Sequence, residues 1–486
     1  MDLRLVPAAM TSWVVTAAGI TWAGGGAALA ASVAVAATAA AGWWASRRRS
    51  IGQRPTWVAG VLAVAVVGAG FAVAVTLRED AVRRHPLTAG TGSAISVVVS
   101  PAETPRVLAG GRTMFRGVLH NVDGVPSSGR VLVFASGTEY ARLQPGQPAA
   151  FRAVASAPKR RDLTVAVLSA TGPPVPGEAA DVHRAAQAVR TAFADATRSA
   201  LPADQAAMLP ALVLGDTSTV PPPVTAQFRV AGLTHLTAVS GANVTIVCGA
   251  VLLSAAVLGP RAAVGLAALT LLAFVIVVQP SASVLRAAVM GAITLLAVLS
   301  HRRRQALPAL AATVVALMVG APELAVDVGF ALSVSATAAL VLIAPVWSQR
   351  LVDRGWPRPL AAAVSVATAA QLVTAPLVAG ISGSVSLVAV LANLAAAPVI
   401  PPVTVLGTAA AALCPVWPAG AELLIRFTGP EVWWLLAVAR WCAALPAASV
   451  PVPSGVAGVA VVAVSAIVVA AGWHWAVSGR RDTIVA

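Results

Sequence analysis

Lysine is almost missing from this chain: of its 33 basic residues, only Lys159 is not arginine. A phosphate-binding P-loop requires a lysine in a glycine-rich turn. Lys159 stands instead in Ala157-Pro158-Lys159-Arg160-Arg161, so no nucleotide-driven motor is encoded. Cysteine is scarce, and Cys248, Cys414 and Cys442 all fall in apolar stretches, which implies no disulfide framework. The six histidines, His85, His120, His183, His235, His301 and His474, are never closer than 35 positions. That spacing leaves no local zinc-binding cluster, and no metal or other cofactor is expected. Charged residues make up only 10% of the chain.

What fills the chain is apolar sequence, 58% of residues with a mean hydropathy of +0.84, in runs that recur far beyond the needs of a soluble core. The reading is a polytopic α-helical membrane protein with about twelve transmembrane helices. Residues 5 to 45 are nearly uncharged and interrupted by Gly24-Gly25-Gly26, which suits two short spans joined by a turn. They read as an anchor rather than a cleaved signal peptide. A third span covers Trp57 to Leu77, and the second half reads as spans over 231–258, 262–278, 283–299, 306–320, 328–347, 359–378, 386–414, 430–445 and 456–477. Pro398, Pro401 and Pro402 make 386–414 a candidate broken or re-entrant helix.

Arginine placement orients the chain. Arg47 to Arg49, Arg54, Arg261, Arg302 to Arg304, Arg350, Arg354, Arg358, Arg426, Arg480 and Arg481 fall at alternate loops, while those around Gln279, Pro322, Gly383 and Val450 carry none. The positive-inside rule then puts both termini in the cytoplasm of a multi-pass membrane protein. The same rule, with a GC-rich coding bias, is the bland reading of the net charge of +15 and takes most of the weight, an anionic partner being the sharper one; charge alone proves no nucleic acid.

Residues 88 to 172 differ in kind, with short alternating runs such as Phe115-Arg116-Gly117-Val118-Leu119-His120 punctuated by Gly, Pro and Asp. They predict a small extracytoplasmic all-β module, for which a five-stranded barrel of the oligonucleotide-binding (OB) type fits. Phe115, Phe134, Tyr140 and Phe151 are its only aromatics for stacking on bases. Glu178 to Ala200 turns amphipathic and helical, with Val182, Ala186, Val189, Ala192 and Phe193 spaced for one face and Arg184, Arg190, Asp195 and Arg198 around it. The expected organisation is N-terminal spans over 1–86, the β domain over 87–177, an amphipathic helical connector over 178–230, a transmembrane channel domain over 231–479 and a cytoplasmic tail over 480–486.

The chain is organised around one polar-in-apolar stretch, Gly232-Leu233-Thr234-His235-Leu236-Thr237-Ala238-Val239-Ser240-Gly241-Ala242-Asn243-Val244-Thr245-Ile246. Polar groups at the start of a long apolar run are costly without partners. On one unbroken helix His235, Ser240 and Asn243 would spread over an arc of about 140° and line one cavity, while a break at Gly241 would add backbone groups to it. Three further motifs follow: Pro280-Ser281-Ala282-Ser283-Val284-Leu285-Arg286-Ala287-Ala288-Val289-Met290, Asp327-Val328-Gly329-Phe330-Ala331-Leu332-Ser333-Val334-Ser335-Ala336-Thr337, and Ala392-Asn393-Leu394-Ala395-Ala396-Ala397-Pro398. Together, in this order, the four resemble the competence domain of the ComEC family, channel proteins that carry transforming DNA across the bacterial inner membrane. The resemblance covers roughly residues 200 to 445, includes Leu212 to Ser218, and extends by arrangement to the N-terminal spans and external barrel. It implies a non-enzymatic channel for single-stranded DNA, working with an extracytoplasmic DNA receptor, a separate nuclease and a cytoplasmic ATPase, embedded in membrane lipid and open to homo-oligomerisation. The sequence departs from the family in having no C-terminal metallo-β-lactamase-like domain and no cysteine pair in the barrel.

The path candidates are His235, Ser240, Gly241, Asn243, Arg286, Asp327, Ser333, Thr337 and Asn393. A guanidinium suits a phosphodiester, and an intramembrane Arg286 faces a cavity or a partner; its bland alternative is snorkelling or pairing with Asp327. Asp327 also suits a helix-start carboxylate, Ser333 and Thr337 suit bonds to their own helix, and Gln371 and Asn393 suit contacts between helices. Moving a strand toward a negative interior costs about 2.3 kcal/mol per full charge per 100 mV, so import must be driven from elsewhere. Two rivals remain: a small-solute transporter with a midplane site between broken helices at 231–246 and 386–414, and an intramembrane hydrolase using Ser240 and His235, against which their spacing argues.

Overall fold

The computed structural model describes residues 3–22, 25–47, 56–89, 92–108, 110–279, 281–300 and 305–478. Arg48, Arg49, Arg54, Arg302 to Arg304, Arg480 and Arg481, which carry part of the loop-charge argument, lie outside the described residues, as does Pro280. By its internal contacts the chain forms two compact units, Met1–Thr191 with Val251–Phe330, and Ala192–Ala250 with Ala331–Ala486.

In the first unit the Ala- and Val-rich segments Val6–Thr21, Gly26–Arg47 and Thr56–Arg83 are helices. Pro7 sits in the first turn of its helix, where a missing N–H costs nothing. A Cβ on Gly19 would lie 2.4 Å from Val75 Cγ1, so the absent side chain lets two helices touch. Three more helices, Pro260–Val278, Ala282–Leu299 and Ala306–Gly320, and the first half of Asp181–Ala200 also belong to this unit. Leu62, Val66, Leu269 and Leu272 are each at least 60% exposed. So much bare aliphatic surface on long helices is stable in lipid and not in water.

The β module is a closed barrel of five strands, β1 Ala94–Pro101, β2 Arg112–Val122, β3 Val125–Ser136, β4 Ala149–Ser156 and β5 Thr164–Pro176, with a sixth, two-residue strand at Arg106–Val107 paired antiparallel to β2. β1 pairs antiparallel with both β2 and β4, β2 with β3 and β4 with β5 are antiparallel, and β3 with β5 is parallel. Asp123 and Gly124, both at positive φ, make the tight β2–β3 turn that an Asp-Gly pair favours. Alternation decides the core: Phe115 and Leu119 point in and are fully buried, while Arg116, Val118 and His120 between and beyond them are exposed. Of the four aromatics expected to stack on bases, Phe115, Tyr140 and Phe151 are buried in this core. Only Phe134 lies outside it, under the Arg112 guanidinium at 5.4 Å. The expected stacking surface therefore reduces to one ring, because aromatics are what a barrel this small has to fill its interior.

The barrel is tied to its unit's helices at two of the arginine-free loops. Arg130 pairs with Glu323, and Thr104 Oγ1 donates to Gln279 Oε1 at 3.2 Å. The loops at Gln279 and Pro322 thus lie on the barrel side of the helices.

In the second unit, Ala203–Leu214 is apolar all round after Asp204 and Gln205 in its first turn, and Met208 through Leu214 are all buried. Such a helix belongs inside a bundle. Residues 178–230 are accordingly not one amphipathic stretch: Asp181–Ala200 is amphipathic, and this helix and Pro222–Val230 follow it. The expected broken segment is present as Ala389–Ala396, a short 3-10 turn Ala397–Val399, and Ile400–Leu413. Pro398 supplies no N–H where a continuous helix needs one. Two strands not expected, β6 Ser384–Ser386 and β7 Ser449–Pro451, form an antiparallel ribbon between the other two arginine-free loops.

Eight helices of the described residues are long and apolar enough to cross a membrane, and four shorter apolar helices, Val6–Thr21, Ala203–Leu214, Ala306–Gly320 and Gly455–Val468, accompany them. This is a multi-pass membrane protein with a small β-barrel near its N-terminus.

Candidate channel site

The polar stretch that begins at Gly232 is not the front of one long helix, as an unbroken apolar run suggests. Pro222–Val230 ends there, a 3-10 turn follows at Thr234–Leu236, and the next helix begins only at Gly241 and runs to Ser254. Gly232 turns the chain at φ +72°, and a Cβ on it would sit 2.5 Å from Ala389 Cβ. No other residue meets both demands. Gly241 does break the helix, by being its first residue, and the arc of about 140° worked for a continuous helix does not apply.

Ser240 and Asn243 bracket that helix start. Ser240 Oγ donates to Asn243 Oδ1 at 3.1 Å, and Asn243 Nδ2 donates to the Leu212 carbonyl at 3.1 Å. Leu212 is in the last turn of Ala203–Leu214, whose terminal carbonyls have no partner in their own helix. Asn243, only 7% exposed, therefore joins the start of one helix to the end of another. His235 is exposed, and its ring is hydrogen-bonded to the backbone of Gly232. Ser240 thus spends its proton on Asn243, and no hydrogen bond between Ser240 and His235 is found among the described residues, as a serine nucleophile with that histidine base would need.

The other candidates of this unit bond mostly to their own helices. Thr337 Oγ1 donates to the Ser333 carbonyl at 2.8 Å, and Asn393 Nδ2 donates to the Ala389 carbonyl at 2.8 Å. All three side chains are half-buried. Trp434 was not singled out by sequence, yet its Nε1 donates at 2.8 Å to the Ala395 carbonyl, beside the Pro398 break. The signal for it is the break itself, which demands donors from a neighbouring helix.

In the first unit Ser281 caps Ala282–Leu299 through the Val284 N–H at 3.3 Å. Arg286, one turn on, is buried at 6% exposure, with Nη1 3.1 Å from Met290 Sδ. Asp327 Oδ1 accepts the Phe330 N–H at 2.8 Å, the ordinary helix-start role of a carboxylate. Arg190, expected on the polar face of an amphipathic helix, is 5% exposed and donates to the Val277 carbonyl at 3.1 Å. A guanidinium there satisfies the end of Pro260–Val278.

The nine candidates thus divide between the units, Arg286 and Asp327 in the first, the rest in the second. A family model described as Competence protein matches residues 212–477, which include all nine. The chain belongs to this family. No curated protein and no solved structure matches it. Membership ties this membrane protein to DNA uptake in competence.

Proposed function

We propose that the chain is the inner-membrane passage through which transforming DNA enters as a single strand. The observation that carries this reading is the competence-family match over residues 212–477. In this reading the helices provide a passive aqueous path, non-enzymatic in itself, whose sparse polar groups do not hold a polyanion tightly. Arg286 contributes the one strong phosphate contact, and His235, Ser240, Gly241, Asn243, Asp327, Ser333, Thr337 and Asn393 contribute polar lining or the turns that shape it. Work on the strand comes from a cytoplasmic ATPase, with a receptor and a nuclease on the outer side.

Twelve or so spans with both termini cytoplasmic complete the reading. It is supported by the arginine-free loops at Gln279 and Pro322 meeting the barrel. The barrel's cyclic strand order, β1-β2-β3-β5-β4 and back to β1 with β3 and β5 parallel, is that of oligonucleotide-binding barrels and supports that identity. A solute transporter is the second reading, favoured by the interrupted helix at 397–399 and the unwound stretch before Gly241.

The test is internalisation of labelled DNA by the host with this gene deleted, then restored as wild type or as Arg286→Gln, with membrane levels matched. Loss of uptake on deletion, restored by wild type and not by the variant, is expected. Uptake that survives deletion sinks the DNA reading in favour of a saturable solute.

A further inference from the structure

One cleft lies apart from all nine path candidates. In the first unit a cavity of about 290 Å³ opens where the end of Thr56–Arg83 meets the starts of β3 and β5 and the loop after Ala306–Gly320. Its polar lining is Arg78, His85, Ser128, Arg130 and Glu323, set against an apolar wall that includes Val82. Arg78 reaches the Val319 carbonyl at 2.7 Å, and Arg130 pairs with Glu323 while staying 45% exposed. Its lining sets two guanidinium groups against one carboxylate, while Asp162, Asp327 and Glu103 act on Arg130 from outside the lining.

His85 adds a directed donor. Its Nδ1 accepts the Leu87 N–H at 3.2 Å, which places the proton of the neutral ring on Nε2. Nε2 is buried and meets no partner among the described residues. A cost of this kind is ordinarily offset by an acceptor. Burial also holds the His85 pKa below its ordinary value, so the ring stays a neutral donor near pH 7.

Place selects the ligand. The candidate span Val58–Arg83 has 26 residues. At 1.5 Å per residue that is about 39 Å, against a hydrocarbon thickness of about 30 Å. Arg78 to His85 therefore emerge at headgroup level, and the cleft faces that layer from the barrel side. We propose that this cleft binds the phosphate ester of an anionic phospholipid headgroup, with Arg78, Arg130 and the His85 Nε2–H as its donors, and so fastens the barrel to the membrane surface. The acceptor chemistry is that of a phosphate oxyanion, for which guanidinium forks and an N–H are suited. The apolar wall and the ion pair at Glu323 suit a small headgroup with acyl chains leading away, rather than a continuous strand.

The experiment uses the purified full chain in detergent micelles, titrated with phosphatidylglycerol, phosphatidylcholine or inorganic phosphate and read by native mass spectrometry. Two variants go beside wild type: Arg78→Gln with His85→Gln, which removes donors, and Ser128→Trp, which fills the cleft and keeps every charge. Thermal unfolding checks that each is folded. Phosphatidylglycerol should bind at least about tenfold tighter than phosphatidylcholine, and both variants should erase that preference, as loss of charge-assisted hydrogen bonds predicts. Saturable inorganic phosphate binding that both variants abolish, without lipid preference, would assign the site to a soluble phosphate ester and overturn the lipid assignment. Equal retention of both lipids by wild type and folded variants overturns the site altogether.

Discussion

Replacing Asn243 by alanine tests whether the polar stretch acts first through structure. The side chain makes two hydrogen bonds at 3.1 Å each, one from Ser240 and one to the Leu212 carbonyl, and is 7% exposed. Losing both bonds forfeits about 0.5–1.5 kcal/mol each, and stranding the buried Leu212 carbonyl costs about 1–3 kcal/mol instead of the smaller figure for that bond. Ser240 is half-buried and recovers part of its loss elsewhere. The sum is about 2–4 kcal/mol, enough to lower the unfolding midpoint of the purified protein and its membrane level together. Ser240→Ala, which leaves the Leu212 bond intact, should cost about 1 kcal/mol or less. DNA internalisation normalised to membrane protein then separates the roles. If Asn243→Ala unfolds like wild type and still blocks uptake, the joint between the two helices is not what Asn243 supplies, and the reasoning fails.

Three further outcomes are expected. Tyr140 is the only tyrosine, donates its hydroxyl to the Gly172 carbonyl at 3.0 Å, and has its pKa pushed up from 10.0 to about 12, by burial first and by Glu139 second. Because the folded state keeps the proton that the unfolded state loses, barrel stability is whole below pH 10 and falls between pH 10 and about 12; absorbance at 295 nm should show no phenolate until that upper limit. Phe115→Ala empties a fully buried site in the barrel core and should cost about 3–5 kcal/mol, read as loss of the barrel's protease resistance with the helical part still inserted. Thr337→Val removes a hydroxyl bonded only as far as the Ser333 carbonyl and should leave stability within about 0.5 kcal/mol; reduced uptake at unchanged stability keeps Thr337 on the path, and unchanged uptake removes it.

The parts legible in the sequence are those set by a single period or a single proline. Alternation around Phe115 and Leu119 announced β2, and Pro398 announced the interruption of 386–414. Hidden parts needed tertiary partners. Apolar composition from Ala231 onward reads as helix, yet Gly232 packs so closely on Ala389 that the chain must turn first. Ala203–Leu214 has only 12 residues, too few to read as a span, and its meaning lies in what surrounds it. Asn243 and Trp434 are both donors to carbonyls 31 and 39 positions away, a relation no local pattern encodes. Arg190 misled for the same reason: charge predicts a solvated face until a helix end needs a donor.

The ribbon of β6 and β7 constrains the topology by parity. Ser384–Ser386 and Ser449–Pro451 are hydrogen-bonded, so both loops lie on one side of the membrane, and the chain between them crosses an even number of times. Two segments are available for those crossings: Ala389–Leu413, with 25 residues and enough apolar length, and Gly429–Ala444, with 16. The second is about 24 Å long, less than the hydrocarbon thickness of about 30 Å, and by length alone it would not be taken for a span. If the first crosses, the second must return, helped by Pro418–Phe427 before it. If the break at Ala397–Val399 instead folds the first into a re-entrant pair, the second must turn back as well. The two stand or fall together, and Trp434 on the short helix, bonded to Ala395 beside the break in the long one, places the two at the same depth.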